Sequence, residues 1–250
     1  MQSLDPNRWG GKAMPGQDDL PCDDGEPVET DFHDAQPALL KDTLIDAWAD
    51  RHDFFIGGNM FVYFSERQLR SNDFRGPDVF VALDIEQKER KSWVAWEEGG
   101  RLPDVVIEVT SPSTAHVDRG EKMRIYSQIW HTGAYFIFDP ETEQLEAYRL
   151  DHTGRRYETI APDERGDYEV AALGLKLGLR ETKFRFQQRR FLRWIAADGS
   201  ALPLATERAH IERQRAEAEH QRAEAERQRA EAERQRADAL EAELRALRTK

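Results

Sequence analysis

Apolar residues recur along the middle of this chain in two different periods, and both ends of the chain lack them. Leu39, Leu40, Leu44, Ile45 and Trp48 repeat at helical spacing and predict a helix from residue 36, closed by Arg51-His52-Asp53. Residues 54–56 and 60–64 read as strand, with Gly57-Gly58-Asn59 as a bulge or turn between them. A second strand is predicted over 78–83 and a short third one over 93–96. Residues 104–109 are apolar almost throughout, as in a central strand covered on both faces. The run 111–114 reads as a loop, and a helix from about Arg119 to Trp130 follows, with Met123, Tyr126, Ile129 and Trp130 as its inner stripe. Gly133 is placed to end that helix, and residues 134–138 form a further strand closed by Asp139-Pro140. Residues 144–150, 157–160 and 168–171 read as a peripheral antiparallel meander. Strand, helix and strand over 104–138 make a βαβ unit with a right-handed crossover. The predicted class is α/β, or α+β with a mixed sheet flanked by helices.

The ends follow other rules. Residues 1–28 mix Pro, Gly and Asp with little periodicity and are expected to be flexible. At the other end, the heptad Glu212-Arg-Gln-Arg-Ala-Glu-Ala218 recurs with small changes at 219–225, 226–232 and 233–239. A seven-residue period suggests a coiled coil, yet aligning Ala216, Ala223, Ala230 and Ala237 in one core position puts Glu219, Glu226 and Glu233 in its partner. Only Leu240 and Leu247 restore an apolar pair. Pairs such as Arg215–Glu219 and Arg222–Glu226 support a helix by roughly 0.2–0.5 kcal/mol each. Residues 207–250 are therefore expected to form a helix of about 60 Å, either a solvated spacer or a weak homodimer contact through its leucine end. The domain between these ends spans 29–206.

Charge narrows the partners. Forty-eight acids against 36 bases give a net charge of −12, and the first 36 residues hold nine acids against two bases. Such a balance argues against a protein that coats nucleic acid by bulk charge, while leaving room for a local basic groove. Cys22 is the single cysteine, so no intrachain disulfide and no cysteine zinc site can form. No apolar run approaches membrane-spanning length and the N-terminus lacks a hydrophobic signal core, so a reducing cytoplasm is expected.

Two strand-like segments each begin with Pro-Asp, at Pro77-Asp78 and Pro103-Asp104, and the second carries Glu108 four residues on. Pro-Asp is ordinary turn chemistry, but an acid within Val-Val-Ile-Glu-Val has no bland role, because an unpaired buried carboxylate is costly. Asp104 and Glu108 share a strand face yet lie about 13 Å apart along it, so Asp104 reads mainly as a turn residue and only secondarily as a ligand. Asp78, on a strand that could be adjacent, can meet Glu108 at one strand end. Mg²⁺ (or Mn²⁺) takes oxygen ligands, typically one or two carboxylates with waters and substrate phosphate. Lys122, on the helix after the Glu108 strand, is the candidate cation to orient a nucleophile or meet charge on phosphorus.

These motifs carry a resemblance. PDVVIEV, TSPST, DRGEK, a Tyr and YFIFDP, in order from Pro103 to Pro140, together with GGNMFVYF, RGPDVFVAL and FLRWIAADG (191–199), resemble the restriction-endonuclease domain family of the PD-(D/E)XK nuclease superfamily. The resemblance covers roughly residues 29–206. It implies a restriction-endonuclease-like core and Mg²⁺-dependent phosphodiester hydrolysis with DNA as substrate. It makes Asp78 the Asp of the PD element and Glu108 the acid of the (D/E)XK element. Thr110 stands where the strand lysine of that pattern belongs, so Lys122 must supply the charge from the helix. Glu29, beside His33, is a further acid that could join the site.

DNA contact needs cations. Arg119 and Arg124 lie near the proposed site, and Arg185, Arg189 and Arg190 fall in a basic run over 176–193 interleaved with Phe184, Phe186, Phe191 and Trp194. That run is either a phosphate-binding patch with stacking aromatics or a peripheral element whose aromatics pack inward. Two functions stay open at this point: a metal-dependent endonuclease, or a catalytically inactive nuclease-like scaffold that recruits partners through its C-terminal helix.

Overall fold

The structure is a computed structural model and describes residues 8–9, 12–22, 30–65 and 76–248. The chain divides into two units, residues 1–202 and 203–250.

In the first unit a six-stranded mixed sheet carries the core. Its strands are β3 (Phe54–Gly57), β5 (Val79–Leu83), β7 (Val105–Val109), β8 (Ala134–Asp139), β9 (Gln144–Leu150) and β10 (Tyr157–Thr159), in the spatial order β10-β9-β8-β7-β5-β3. Only β7 and β8 run parallel, and every other pair is antiparallel. A parallel neighbour requires a crossover, supplied here by helix α2 over residues 115–130. Every residue of β7 is buried, which is why its sequence lacks alternation.

The period of two sorts the sheet's side chains. Phe80, Ala82, Val106, Tyr135 and Ile137 form one cluster with Ile125, Tyr126 and Trp130 of α2 and with Val62 and Trp93. Val62 and Trp93 belong to a separate parallel pair, β4 (Val62–Tyr63) with β6 (Trp93–Val94). Gly57 is required at its place, because a Cβ there would lie 2.4 Å from the Phe80 ring. Helix α1 (Asp31–Ala47) contacts β3, β5 and the strand β13 (Gln187–Ile195). Thr30 caps α1 by accepting from Phe32 N, so the helix begins at Asp31, five residues before the predicted start. The apolar repeat begins only after Pro37, which hides the first turns from a reading by periodicity.

A second sheet joins β11 (Tyr168–Val170), β12 (Leu175–Phe184) and β13. The long hairpin β12–β13 is the element behind the basic run, and β11 belongs to it rather than to a single meander with β9 and β10. Gln36 from α1 binds both backbone groups of Leu192, giving its Nε2 to the carbonyl at 3.1 Å and accepting from the amide at 2.8 Å. Trp194 Nε1 donates to the Leu40 carbonyl at 2.9 Å.

Helix α2 is not a plain α-helix. Asp118–Lys122 and Tyr126–Trp130 are π-helical, separated by the α-helical turn Met123–Ile125. It begins before the predicted Arg119. His131, in the left-handed region at φ 55°, ends it in place of Gly133. Residues 15–21 also depart from the flexible expectation. Trp96 Nε1 donates to the Pro15 carbonyl at 3.0 Å, Lys91 pairs with Asp18 at 2.6 Å, and Tyr63 OH donates to the Pro21 carbonyl at 2.7 Å. A short β1–β2 ladder (Arg8–Trp9 with Lys12–Ala13) precedes them.

The second unit is helix α3, Ala205–Arg248, 44 residues long and exposed over residues 209–237. Glu207 accepts from the Leu204 amide and caps its start. No helix among the described residues is long and apolar enough to cross a membrane.

Candidate active site

Strand register brings the acids together. The β5–β7 ladder ends at Val79 opposite Ile107, so one step further Asp78 faces Glu108. The two are tied crosswise: Val109 N donates to Asp78 Oδ2 at 2.6 Å, and Asp78 N donates to Glu108 Oε2 at 3.3 Å. Glu108 is fully buried, on the sheet face covered by α2. Lys122 and Tyr126 of α2 contact it there, and Asp118, four residues before Lys122, is linked to it through that lysine. Lys122 Nζ lies 3.1 Å from Glu108 Oε2 and 2.9 Å from Asp118 Oδ1. Tyr126 OH donates to Glu108 Oε1 at 2.7 Å. Tyr135 OH donates to the Asp118 carbonyl at 2.9 Å.

Burial dominates the electrostatics. It pushes the Glu108 carboxyl up to about 8, with Asp78 and Asp118 adding to the rise against the opposing pull of Lys122 and Tyr126. Burial likewise raises Asp78, against Lys122 and the Val109 amide. For Lys122, burial alone would favour the neutral amine, but Glu108, Asp118 and Asp78 outweigh it and hold the ammonium well above its ordinary value. Tyr126 is held far above its ordinary value by burial and the adjacent Glu108, so it stays a donor. Once ionised, the carboxylates of Asp78, Glu108 and Asp118 outnumber the one ammonium of Lys122, the condition a bound cation would relieve. Among the described residues no three His, Cys, Asp or Glu side chains form a metal-holding group. The paired carboxylates of Asp78 and Glu108 fit instead a hard cation that keeps several of its waters.

The remaining expected site residues lie elsewhere. Asp104 sits at the far end of β7, where its Oδ2 accepts from Leu83 N at 2.7 Å, and it does not join Asp78 and Glu108. Glu29 lies outside the described residues. Arg119 pairs with Glu146, its Nε 2.7 Å from Oε1, and Arg124 is exposed on α2. Arg185 pairs with Asp34, and Arg190 with Glu143 at 3.1 Å. Arg189 stacks over Phe32 at 4.1 Å. Within the basic run, Arg180 forks onto Asp167 and the buried Arg193 binds Thr182 Oγ1 and the Leu202 carbonyl. Phe191 and Trp194 pack inward, as the second reading of that run held for its aromatics, whereas Phe186 is fully exposed. Sequence reasoning missed Asp118 and the role of Tyr126. The signal was present in the spacing Asp118, Lys122, Tyr126, one face of one helix.

Residues 15–183 match the model of a family described as "Uma2: Putative restriction endonuclease". No curated protein matches the chain. Among solved structures, the chain is similar to the crystal structure of "a putative nuclease belonging to DUF820" from Anabaena variabilis, at 15% identity and a TM-score of 0.43, over 66% of this chain and 80% of that one.

Proposed function

The chain belongs to the Uma2 restriction-endonuclease family, and from that membership we propose that it is a Mg²⁺- or Mn²⁺-dependent endonuclease that hydrolyses DNA phosphodiester bonds. The observation that carries this reading is the contact of Lys122 Nζ with Glu108 Oε2 at 3.1 Å, which supplies from the helix the cation that Thr110 cannot supply from the strand. Asp78 and Glu108 would hold the metal. When bound, such an ion supplies Lewis-acid polarisation of the phosphate and a more acidic water.

The chain's own groups do the rest. Lys122 remains protonated and can meet the charge that develops on the phosphate oxygens. Asp118 holds the ammonium toward the strand end, and Tyr126 fixes one oxygen of Glu108 so that the other faces Lys122. The Val109 amide fixes Asp78 in the same way.

Plasmid nicking in Mg²⁺ or Mn²⁺ tests the proposal. Glu108→Ala should reduce cleavage to background, and Lys122→Ala should slow it by about 10²–10³-fold. Cleavage that survives both substitutions in clean preparations would sink the assignment. No cleavage by the wild-type chain, with no calorimetric signal for either ion, would favour the inactive scaffold.

A further inference from the structure

The hairpin β12–β13 ends in a two-residue turn, Arg185-Phe186, between the paired Phe184 and Gln187. Phe184 turns its ring inward onto Phe191, at 6.1 Å between centroids. Phe186 does the opposite: at 106% relative exposure it is the most exposed large apolar residue described. Arg185 adopts φ 52°, the left-handed conformation that a two-residue hairpin turn requires of its first residue. Its side chain pairs with Asp34 at the start of α1.

The hairpin is tied to the strand ends that carry the candidate active site, on the sheet face opposite α2 and the Glu108 side chain. Arg189 donates to the Pro140 carbonyl and Arg190 reaches Glu143, both in the turn that leaves β8. β8 is the strand parallel to β7, with Ile137 opposite Glu108. The C-terminal ends of β7 and β8, the Asp78 end of β5 and the start of α1 therefore share one rim with the hairpin tip. Contacts of Arg185 with α1 and of Arg189 and Arg190 with the turn after β8 tie the hairpin to that rim.

The local charge says which part of a nucleic acid fits. Arg185 and Arg190 are already matched by Asp34 and Glu143. A cleft of about 440 Å³ under the hairpin is lined by Asp31 and Glu141 as well as Arg189 and Gln187. Acids repel phosphate, whereas an apolar ring and polar groups suit the face and edge of a base. We propose that Phe186 stacks on an unpaired base of the substrate strand, holding it beside the Asp78–Glu108 rim. The proposal rests on the nuclease reading and names the form of substrate, a strand with accessible bases.

Fluorescence anisotropy with a labelled single-stranded oligonucleotide tests it, using the full chain with Glu108→Gln to prevent cutting. Adding Phe186→Ala should weaken binding by about tenfold, as loss of one base–aromatic stack does. The slope of affinity against salt should not change, because no phosphate contact is lost. Phe186→Trp should bind within about threefold of the parent, and the melting temperature should stay put in both variants. Equal binding by Phe186→Ala and its parent would overturn the proposal. So would a ring needed instead for self-association in sedimentation, or for binding to anionic vesicles, with oligonucleotide affinity untouched. The two readings fail separately. Glu108-dependent cleavage that proceeds equally fast without the Phe186 ring removes the stacking alone. Ring-dependent binding without any cleavage removes the nuclease reading alone.

Discussion

Glu108 is the residue on which the chemistry and the stability of this protein meet. In the native state its carboxyl keeps a proton up to about pH 8, whereas the unfolded chain releases it near 4.5. Between those values the folded state binds more protons than the unfolded one, so stability falls as pH rises in chelator. A cation on the ionised pair offsets that loss. Mn²⁺ should therefore raise the melting temperature more at about pH 9 than at about pH 5, and cleavage should climb through the same window. A cation-induced shift of equal size at both pH values would contradict this. In the proposed reaction, Asp118 and Tyr126 would act through Lys122 and Glu108. Asp118→Asn should lower kcat by about 10–100-fold while leaving KM for DNA close to wild type. Tyr126→Phe should shift the pH profile of cleavage, because it removes a hydrogen bond that favours the ionised Glu108. A fall in kcat with an unmoved profile would mean that Tyr126 serves packing alone.

At the level of elements, the sequence carried much of this site and hid a defined part of it. Asp78 and Glu108 were readable because acids in apolar strands violate an otherwise strict pattern. Their contact depends on antiparallel β5–β7 pairing, which the pattern allowed without fixing. Lys122 was readable from its place one loop beyond Glu108. Asp118 was not singled out, because a polar residue at a helix start is expected to face water, yet here it is buried. The hairpin β12–β13 escaped because its cations mask the alternation of strand residues, and several are spent on ion pairs with acids distant in sequence. Gln36 shows the same limit. A glutamine in the apolar part of a helix carries no pattern signal, yet it pairs with both backbone groups of Leu192. Gln36→Leu should cost about 2–4 kcal/mol by stranding those two buried groups, measured by urea denaturation.

Taken whole, the molecule is a domain bearing a site and a helix bearing none of it. The net charge of −12 resides mostly in the domain and its N-terminal segment, since residues 207–250 balance eleven acids with eleven bases. Removing residues 209–250, exposed over 209–237, should lower helical circular dichroism while leaving the melting temperature within about 2 °C, because surface changes away from packed features are worth little. A large loss of stability would show that the helix supports the domain. The seven-residue repeat of that helix has one more consequence, and it concerns inheritance. Near-identical units in a protein imply near-identical stretches in its gene, where copies are readily gained and lost. Each unit adds about 10.5 Å of length and returns the same side chains to within about 20° of the same face. A slip of one copy therefore changes reach and alters the charge by one unit at most, so the length of this arm can drift by whole steps while the domain stays the same.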